Sequence, residues 1–170
     1  MEYRMDERGG RLILEEEWGN SRSHSMSGEV IWTLTLPEGM DFEFSTASGE
    51  LTLSGPLGDI DASSASGDIS VTGPVGKVDA STASGDIEIE NADGDMDVST
   101  ASGKVVLINV VGKKDVSTAS GDIRIEDSKD DIDLSTASGE ISAKNVEGDM
   151  HMSTASGEIG ISGAKGVFKL

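Results

Sequence analysis

The sequence contains no cysteine, only two histidines, three prolines and 4% aromatic residues. Without cysteine there is no disulfide, no thiolate nucleophile and no Cys-type zinc or iron–sulfur site. Two histidines leave almost no material for a histidine-based catalytic centre. Basic residues are scarce as well: 13 Lys+Arg stand against 32 Asp+Glu, giving a formal charge of -19. That balance argues against nucleic acid, whose phosphates attract Lys and Arg. It argues equally against an anionic membrane surface. No apolar run approaches the ~18 residues of a spanning helix, so no membrane insertion is expected. The opening MEYRMDERGG has no apolar stretch of the signal-peptide kind, which leaves a cytoplasmic location open.

What is present suffices for a folded domain. A chain of 170 residues suits one domain of ordinary size. The hydrophobic fraction of 35%, together with 22 glycines, approaches the composition of folded chains, so disorder is not expected despite the charge.

The dominant feature is a repeat. Ser-Thr-Ala-Ser-Gly begins at Ser45, Ser81, Ser99, Ser117, Ser135 and Ser153, and Ser63 begins the near-copy SSASG. Successive copies follow at 18 residues without insertion. Within each 18 lies a period of nine opened by Gly, as in Gly85-DIEI, Gly94-DMDV, Gly103-KVVL and Gly121-DIRI. Counting that Gly as position zero, positions two and four are apolar, as in Ile87 and Ile89 or Met96 and Val98. Such alternation reads as a strand with one buried face, and regular Gly with β-branched residues opposes helix.

Strand, turn, strand and turn every 18 residues make one coil of a single-stranded parallel β-helix. Seven to eight coils at strand spacing would stack to about 35 Å. A triangular hexapeptide helix needs an apolar residue every six, but six residues after Ile89 stands Asp95. A nonapeptide calcium roll needs G-G-x-G-x-D turns with one apolar residue per strand, which this pattern does not match. The expectation is an all-β solenoid with 18 residues per coil and two main sheets. It forms a single domain over 1–170, with irregular capping strands in 1–39 and regular repeats over 40–170.

The turns carry their own chemistry. Position six of one half reads Gly55, Gly73, Asn91, Asn109, Asp127, Asn145 and Gly163, residues that tolerate positive φ, so a left-handed corner is expected there. Asn above Asn could hydrogen-bond along the axis. The other half places Thr46, Ser64, Thr82, Thr100, Thr118, Thr136 and Thr154 at that position. Small residues at position seven, among them Ala47, Ala101, Val110 and Val146, are expected to pack inside the corners. The aromatic residues Tyr3, Trp18, Trp32, Phe42, Phe44 and Phe168 sort to the two ends, where a solenoid needs caps.

The segments STASGDIEIENADGDMDVSTASG and TLTLPEGMDFEFSTASGELTLSG resemble a bacterial adhesin-type β-strand-repeat family, a domain of unknown function. The resemblance covers roughly residues 30–170. It implies a parallel, right-handed β-helix and a location at the bacterial cell envelope or outside the cell, and it supplies no catalytic residues.

Three constellations could carry function. The largest is a column of acids at position three: Glu43, Asp61, Asp79, Asp97, Asp115 and Asp133, ending in His151. Beside it, position one reads Asp41, Asp59, Lys77, Asp95, Lys113, Asp131 and Asp149. Both columns should face solvent on one sheet, where stacked like charges repel. Either calcium or a basic partner surface would relieve that repulsion, or the face is simply solvated. Second, the column from Ser48 through Ser156 could bind sugars or ice, or could hold the bends together. Third, Gly103-KVVLINVVG turns Val106 and Ile108 outward between Glu88 and Glu90 on one side and Arg124 and Glu126 on the other. That apolar spot is a candidate contact. Lys114 occupies a core position and should snorkel or mark a bulge. His24 and His151 lack a paired nucleophile, and uniform coils offer no loops from which to build a cleft. The reading is a non-enzymatic solenoid presenting an acidic surface for adhesion, scaffolding or envelope-stress sensing. A calcium-dependent binding module on the Asp columns and a homo-oligomer joined through the solenoid ends are the alternatives.

Overall fold

The computed structural model describes residues 37–170, together with the strand backbone of residues 2–8 and 11–17. The chain divides into two compact units, Met1–Thr35 and Leu36–Leu170. In the first, β1 (Glu2–Arg8) and β2 (Arg11–Glu17) pair antiparallel, with Arg8 opposite Arg11. Gly9-Gly10 between them is the sequence signal of a tight hairpin. Trp18, His24 and Trp32 lie outside the described residues, as does most of the proposed capping segment.

The second unit is the expected coil. Among the described residues no helix occurs. An eight-stranded parallel sheet contains β3 (Phe42–Thr46), β5 (Ile60–Ser64), β7 (Val78–Thr82) and β9 (Met96–Thr100). It continues through β11 (Lys114–Thr118), β13 (Ile132–Thr136), β15 (Met150–Thr154) and β17 (Phe168–Lys169). A seven-stranded parallel sheet contains β4 (Leu51–Ser54), β6 (Ile69–Thr72), β8 (Ile87–Glu90) and β10 (Val105–Ile108). Its remaining strands are β12 (Ile123–Lys129), β14 (Ile141–Glu147) and β16 (Ile159–Ser162). The chain alternates between the sheets, and each strand pairs with the one a full coil away. Val78 lies beside Met96, and Ile87 beside Val105, so the register equals the 18-residue repeat. About seven coils form in this way.

Positions two and four of both sheets point inward and make the core. Ile87, Ile89, Val98, Val105, Leu107, Val116, Ile123 and Ile125 are fully buried. Phe42 and Phe44, whose rings stack at 6.2 Å, pack against the first coil of this core. Phe168 stands in the last strand and is exposed, as are Ile161, Val167 and Leu170.

The corners differ from one another in a way that half corrects the sequence reading. All seven residues expected to be left-handed have positive φ, from 52° at Asn109 to 122° at Gly73. Asn109 Nδ2 donates to Asn91 Oδ1 at 2.7 Å, and Asn145 Nδ2 to Asp127 Oδ1 at 3.0 Å. At four of these corners position seven is buried, at Ala92, Val110, Ser128 and Val146, while Pro56 and Pro74 stand exposed. At the Ser-Thr-Ala-Ser corners no residue takes positive φ, and the inside and outside exchange. Thr100 is buried, while Ala47 and Ala101 are exposed and do not pack inward. The reason is the glycine that follows. Each glycine of this corner, from Gly67 to Gly157, lies against the carbonyl of its counterpart one coil earlier, and a Cβ at Gly103 would overlap the Gly85 carbonyl oxygen. The threonine hydroxyl turns in to serve that backbone.

Lys114 is a second correction. It neither snorkels nor marks a bulge: its residue is 0% exposed, and it pairs with Met96 and Ile132 in unbroken register. Its ammonium instead donates to the main-chain carbonyl of Lys129. Next to that carbonyl, Ser128 occupies a buried position where Val110 and Val146 stand in other coils, and its hydroxyl has no partner. Burial lowers the Lys114 amine from 10.5 to about 8, against the opposing attraction of Asp130, Asp95 and Asp131.

This packing has measurable consequences. Gly103→Ala should destabilise the protein by about 3 kcal/mol or more, because backbone faces backbone. Gly49→Ala should cost under about 1 kcal/mol, because among the described residues its Cβ would meet no backbone, its nearest neighbour being the Thr46 hydroxyl at 3.1 Å; denaturant midpoints of the two variants distinguish them. For Lys114 the folded value lies below the unfolded one, so below pH 8 the amine is charged in both states and the penalty is complete. It fades as pH rises from 8 towards 10.5, beyond which both states are neutral. Lys114→Met, which matches Met96 and Met150 in the same column, should therefore be more stable by about 3 kcal/mol at pH 7. Thermal melts should show this gap closing as pH passes 10.5.

Candidate functional site

The eight-stranded sheet positions the acid column as its spacing required. Asp61 lies beside Asp79, Asp79 beside Asp97, Asp97 beside Asp115 and Asp115 beside Asp133. All five are exposed. Glu43 precedes them beside Asp61, and His151 and Lys169 continue the column beyond Asp133. Neighbouring carboxylates therefore stand about one strand spacing apart, roughly 4.8 Å. Among the described residues no Lys or Arg forms an ion pair with the five aspartates; the described pairs are Arg124–Glu126, Lys144–Glu126 and Lys165–Glu147. Position five beside them carries Ser63, Ser81, Ser99, Ser117 and Ser135 in matching register. The result is one flat face of alternating carboxylate and hydroxyl columns.

The neighbouring column at position one has a different duty, which sequence reasoning missed. Asp41 Oδ1 accepts the backbone N–H of Asp59 at 2.9 Å, Asp59 that of Lys77 at 2.9 Å, and Asp95 that of Lys113 at 2.9 Å. Asp149 accepts from Val167 at 3.1 Å. On the other side of the coil Asp68, Asp86 and Asp122 do the same for Asp86, Lys104 and Glu140. These N–H groups precede the strands and have no ladder partner, so an Asp one coil below completes them. The available signal was the recurrence of Asp immediately after Gly in both halves of the repeat. Part of the negative charge is thus structural, and the position-three aspartates, by contrast, complete no backbone group in the described bonds.

No group of three or more His, Asp or Glu converges to hold a metal ion among the described residues. A shallow depression of about 250 Å³ opens where the acid column ends, lined by Lys113, Asp131, Asp133, Asp149, His151 and Lys169 among others. It mixes both signs of charge around an open floor.

The hydroxyl columns divide by role. Thr82 Oγ1 accepts from Gly85 N–H at 3.1 Å and donates to the Gly67 carbonyl at 3.2 Å, tying its own coil to the preceding one. Thr100 and Thr136 repeat both bonds. Ser64 makes the first of them with Gly67 N–H at 2.7 Å. The serine column from Ser48 to Ser156 is exposed at the bend. The threonines are therefore structural clamps. Val106 and Ile108 lie on the opposite, seven-stranded sheet, half-buried between Glu88 and Glu90 on one side and Arg124 and Glu126 on the other.

Thr100→Val leaves a buried glycine N–H and a buried carbonyl unpaired, and should cost about 2–4 kcal/mol. Thr100→Ser keeps both bonds and should cost about 1 kcal/mol or less. Equilibrium unfolding of the two variants checks this, and equal losses would show that the methyl group, not the hydroxyl, holds the corner.

No curated protein and no solved structure matches this chain significantly. The family model Toastrack DUF4097, a domain of unknown function, matches residues 4–167, and so spans nearly the whole repeat and the first hairpin. The 18-residue coil, its two parallel sheets and this match agree, and the chain belongs to the Toastrack DUF4097 family.

Proposed function

We propose that this chain is a non-enzymatic binding module that offers its carboxylate face to a cationic partner surface, in an adhesive, scaffolding or envelope-stress-sensing setting. The observation that supports the reading is the unbroken, exposed column from Asp61 to Asp133, without a pairing cation among the described residues. Like charges directly opposite one another weaken a sheet. A partner carrying Lys or Arg at comparable spacing removes that repulsion and gains from each coil in turn. Because the face is open to solvent, such binding depends strongly on salt. The regular coils, with no insertion between strands, favour a recognition surface over a catalytic cleft.

Calcium is the second reading, in which the same aspartates hold cations between coils. Calcium prefers six to eight converging oxygens, so the column favours loose occupancy over a defined cage.

The triple variant Asp79→Asn, Asp97→Asn, Asp115→Asn keeps shape and removes charge. Immobilised poly-L-lysine should bind the native chain in a salt-sensitive manner and the triple variant at least about tenfold more weakly. The variant should melt at the same temperature or higher, since repulsion has been removed. Undiminished binding would sink the reading. Calcium titration of both proteins separates the alternative: heat and a raised melting temperature in the native chain, both lost in the variant, would assign the column to the metal.

A further inference from the structure

The outward side of the seven-stranded sheet is acidic, and one strand interrupts it. Position one carries an exposed carboxylate in six of its seven coils, at Glu50, Asp68, Asp86, Asp122, Glu140 and Glu158. The exception is Lys104, which opens the coil of β10. There Val106 and Ile108 follow at positions three and five, where the other six strands present Ser, Thr, Gly, Glu, Arg or Lys.

The two sides of this apolar row differ. Towards β12, Glu126 is held by Arg124 at 2.6 Å and by Lys144 at 3.6 Å, so its charge is met within the sheet. Towards β8, Glu88 lies directly beside Val106 and Glu90 beside Ile108, and neither forms an ion pair among the described residues. An apolar row and an unpaired acidic row therefore run side by side, about 4.8 Å apart. The occupant that satisfies both is apolar along one line and cationic along the next. A second copy of this face fits poorly, because it sets the position-one carboxylates against an equally acidic surface.

We propose that β8 and β10 form a docking site for a cationic amphipathic helix of a partner protein, with its apolar side chains on Val106 and Ile108 and its Lys or Arg side chains on Glu88 and Glu90. The spacing suits a helix. Val106 and Ile108 stand about 6.6 Å apart along the strand, and residues four apart on a helix rise about 6 Å. Glu88 and Glu90 repeat the same interval alongside. Val106 and Ile108 are half-buried and offer a shallow contact, so pairing with the acidic row supplies the rest and makes binding depend on salt. The position-one carboxylates add a field that draws a cationic segment to this side. The site uses none of the aspartate column and is independent of the cationic partner proposed for the eight-stranded sheet.

Two synthetic helical peptides of equal charge test this. Both carry Lys along one flank, and one has Leu where the other has Ala at positions four apart. Titrated against the full chain by fluorescence anisotropy at low salt, the leucine peptide should bind at least about tenfold more tightly. The double variant Val106→Glu, Ile108→Glu gives β10 the carboxylates that β8 already carries. With unchanged circular dichroism, it should lose the preference for leucine while binding the alanine peptide no less tightly. A contact made by charge alone would instead strengthen for both peptides, since the variant is more acidic. The milder pair Val106→Thr, Ile108→Thr keeps β-branching and should lose most of the preference as well. Glu88→Gln with Glu90→Gln should weaken both peptides and flatten the salt dependence. The triple variant Asp79→Asn, Asp97→Asn, Asp115→Asn should leave the leucine preference intact. Equal binding of the two peptides by the native chain would overturn the proposal, as would a preference that survives both substitutions of Val106 and Ile108. Loss of the preference in the triple aspartate variant would place the helix on the other sheet and overturn it equally.

Discussion

Everything in this coil depends on one close approach, the stacking of Gly on Gly at the Ser-Thr-Ala-Ser corner. From Gly67 to Gly157, the α-carbon of each corner glycine lies against the carbonyl one coil below, where no side chain can be inserted. The threonine three residues earlier fastens the contact, accepting from the upper glycine and donating to the lower. A shift of register by one residue would place a Cβ in that contact and turn every core side chain out to solvent. The corner therefore fixes register, and register turns an 18-residue repeat into columns. The same geometry decides burial: the hydroxyl must reach backbone, so Thr faces in and Ala faces out.

The opposite corner solves a milder problem. There the chain needs only positive φ, and Gly, Asn or Asp supplies it. Asn adds an amide bond along the axis, as between Asn109 and Asn91, and position seven fills the inside with Val110 or Val146. The position-one aspartates then complete N–H groups that the ladder leaves open. A charge of -19 is thus divided between carboxylates that finish the backbone and carboxylates that merely face water. The second set includes the stacked aspartates of position three, Asp61 to Asp133, which repel one another.

Much of this was legible in the sequence, for a physical reason. Period-two alternation and a strict 18-residue interval determine which residues become neighbours in a parallel coil. Hence the neighbours of Val106 and Ile108, the aspartate column and all seven positive-φ corners could be named beforehand. The orientation of Thr100 and Ala101 could not, because polarity alone places Thr outside, and only the backbone one coil away calls it in. The bonds from Asp41, Asp59 and Asp95 were hidden for the same reason: their partners lie 18 residues off and belong to the main chain. Lys114 defied expectation because a carbonyl, not solvent, receives its ammonium. As for the candidate site, the column was readable but its ligand was not. One carboxylate repeated coil after coil specifies a charge and a spacing, and any surface with the complementary spacing satisfies them.

One coil breaks the rules of all the others, and it does so on both sides of the chain. Between Gly103 and Ser120, Val106 and Ile108 stand outward where neighbouring coils carry Glu or Arg. In the same coil Lys114 stands inward where they carry Ile or Met. Each exchange works against folding. The buried amine is held by the Lys129 carbonyl, beside a Ser128 hydroxyl that has no partner. A repeat that tolerates no insertion could accommodate an apolar residue inside and charges outside at this point at no structural cost, as its other coils do. Departures of this kind from local rules mark positions where something other than the fold sets the residue. They coincide in the middle strand of the seven-stranded sheet and its partner strand in the same coil, where the requirements of the fold alone would have chosen the opposite residue at each position.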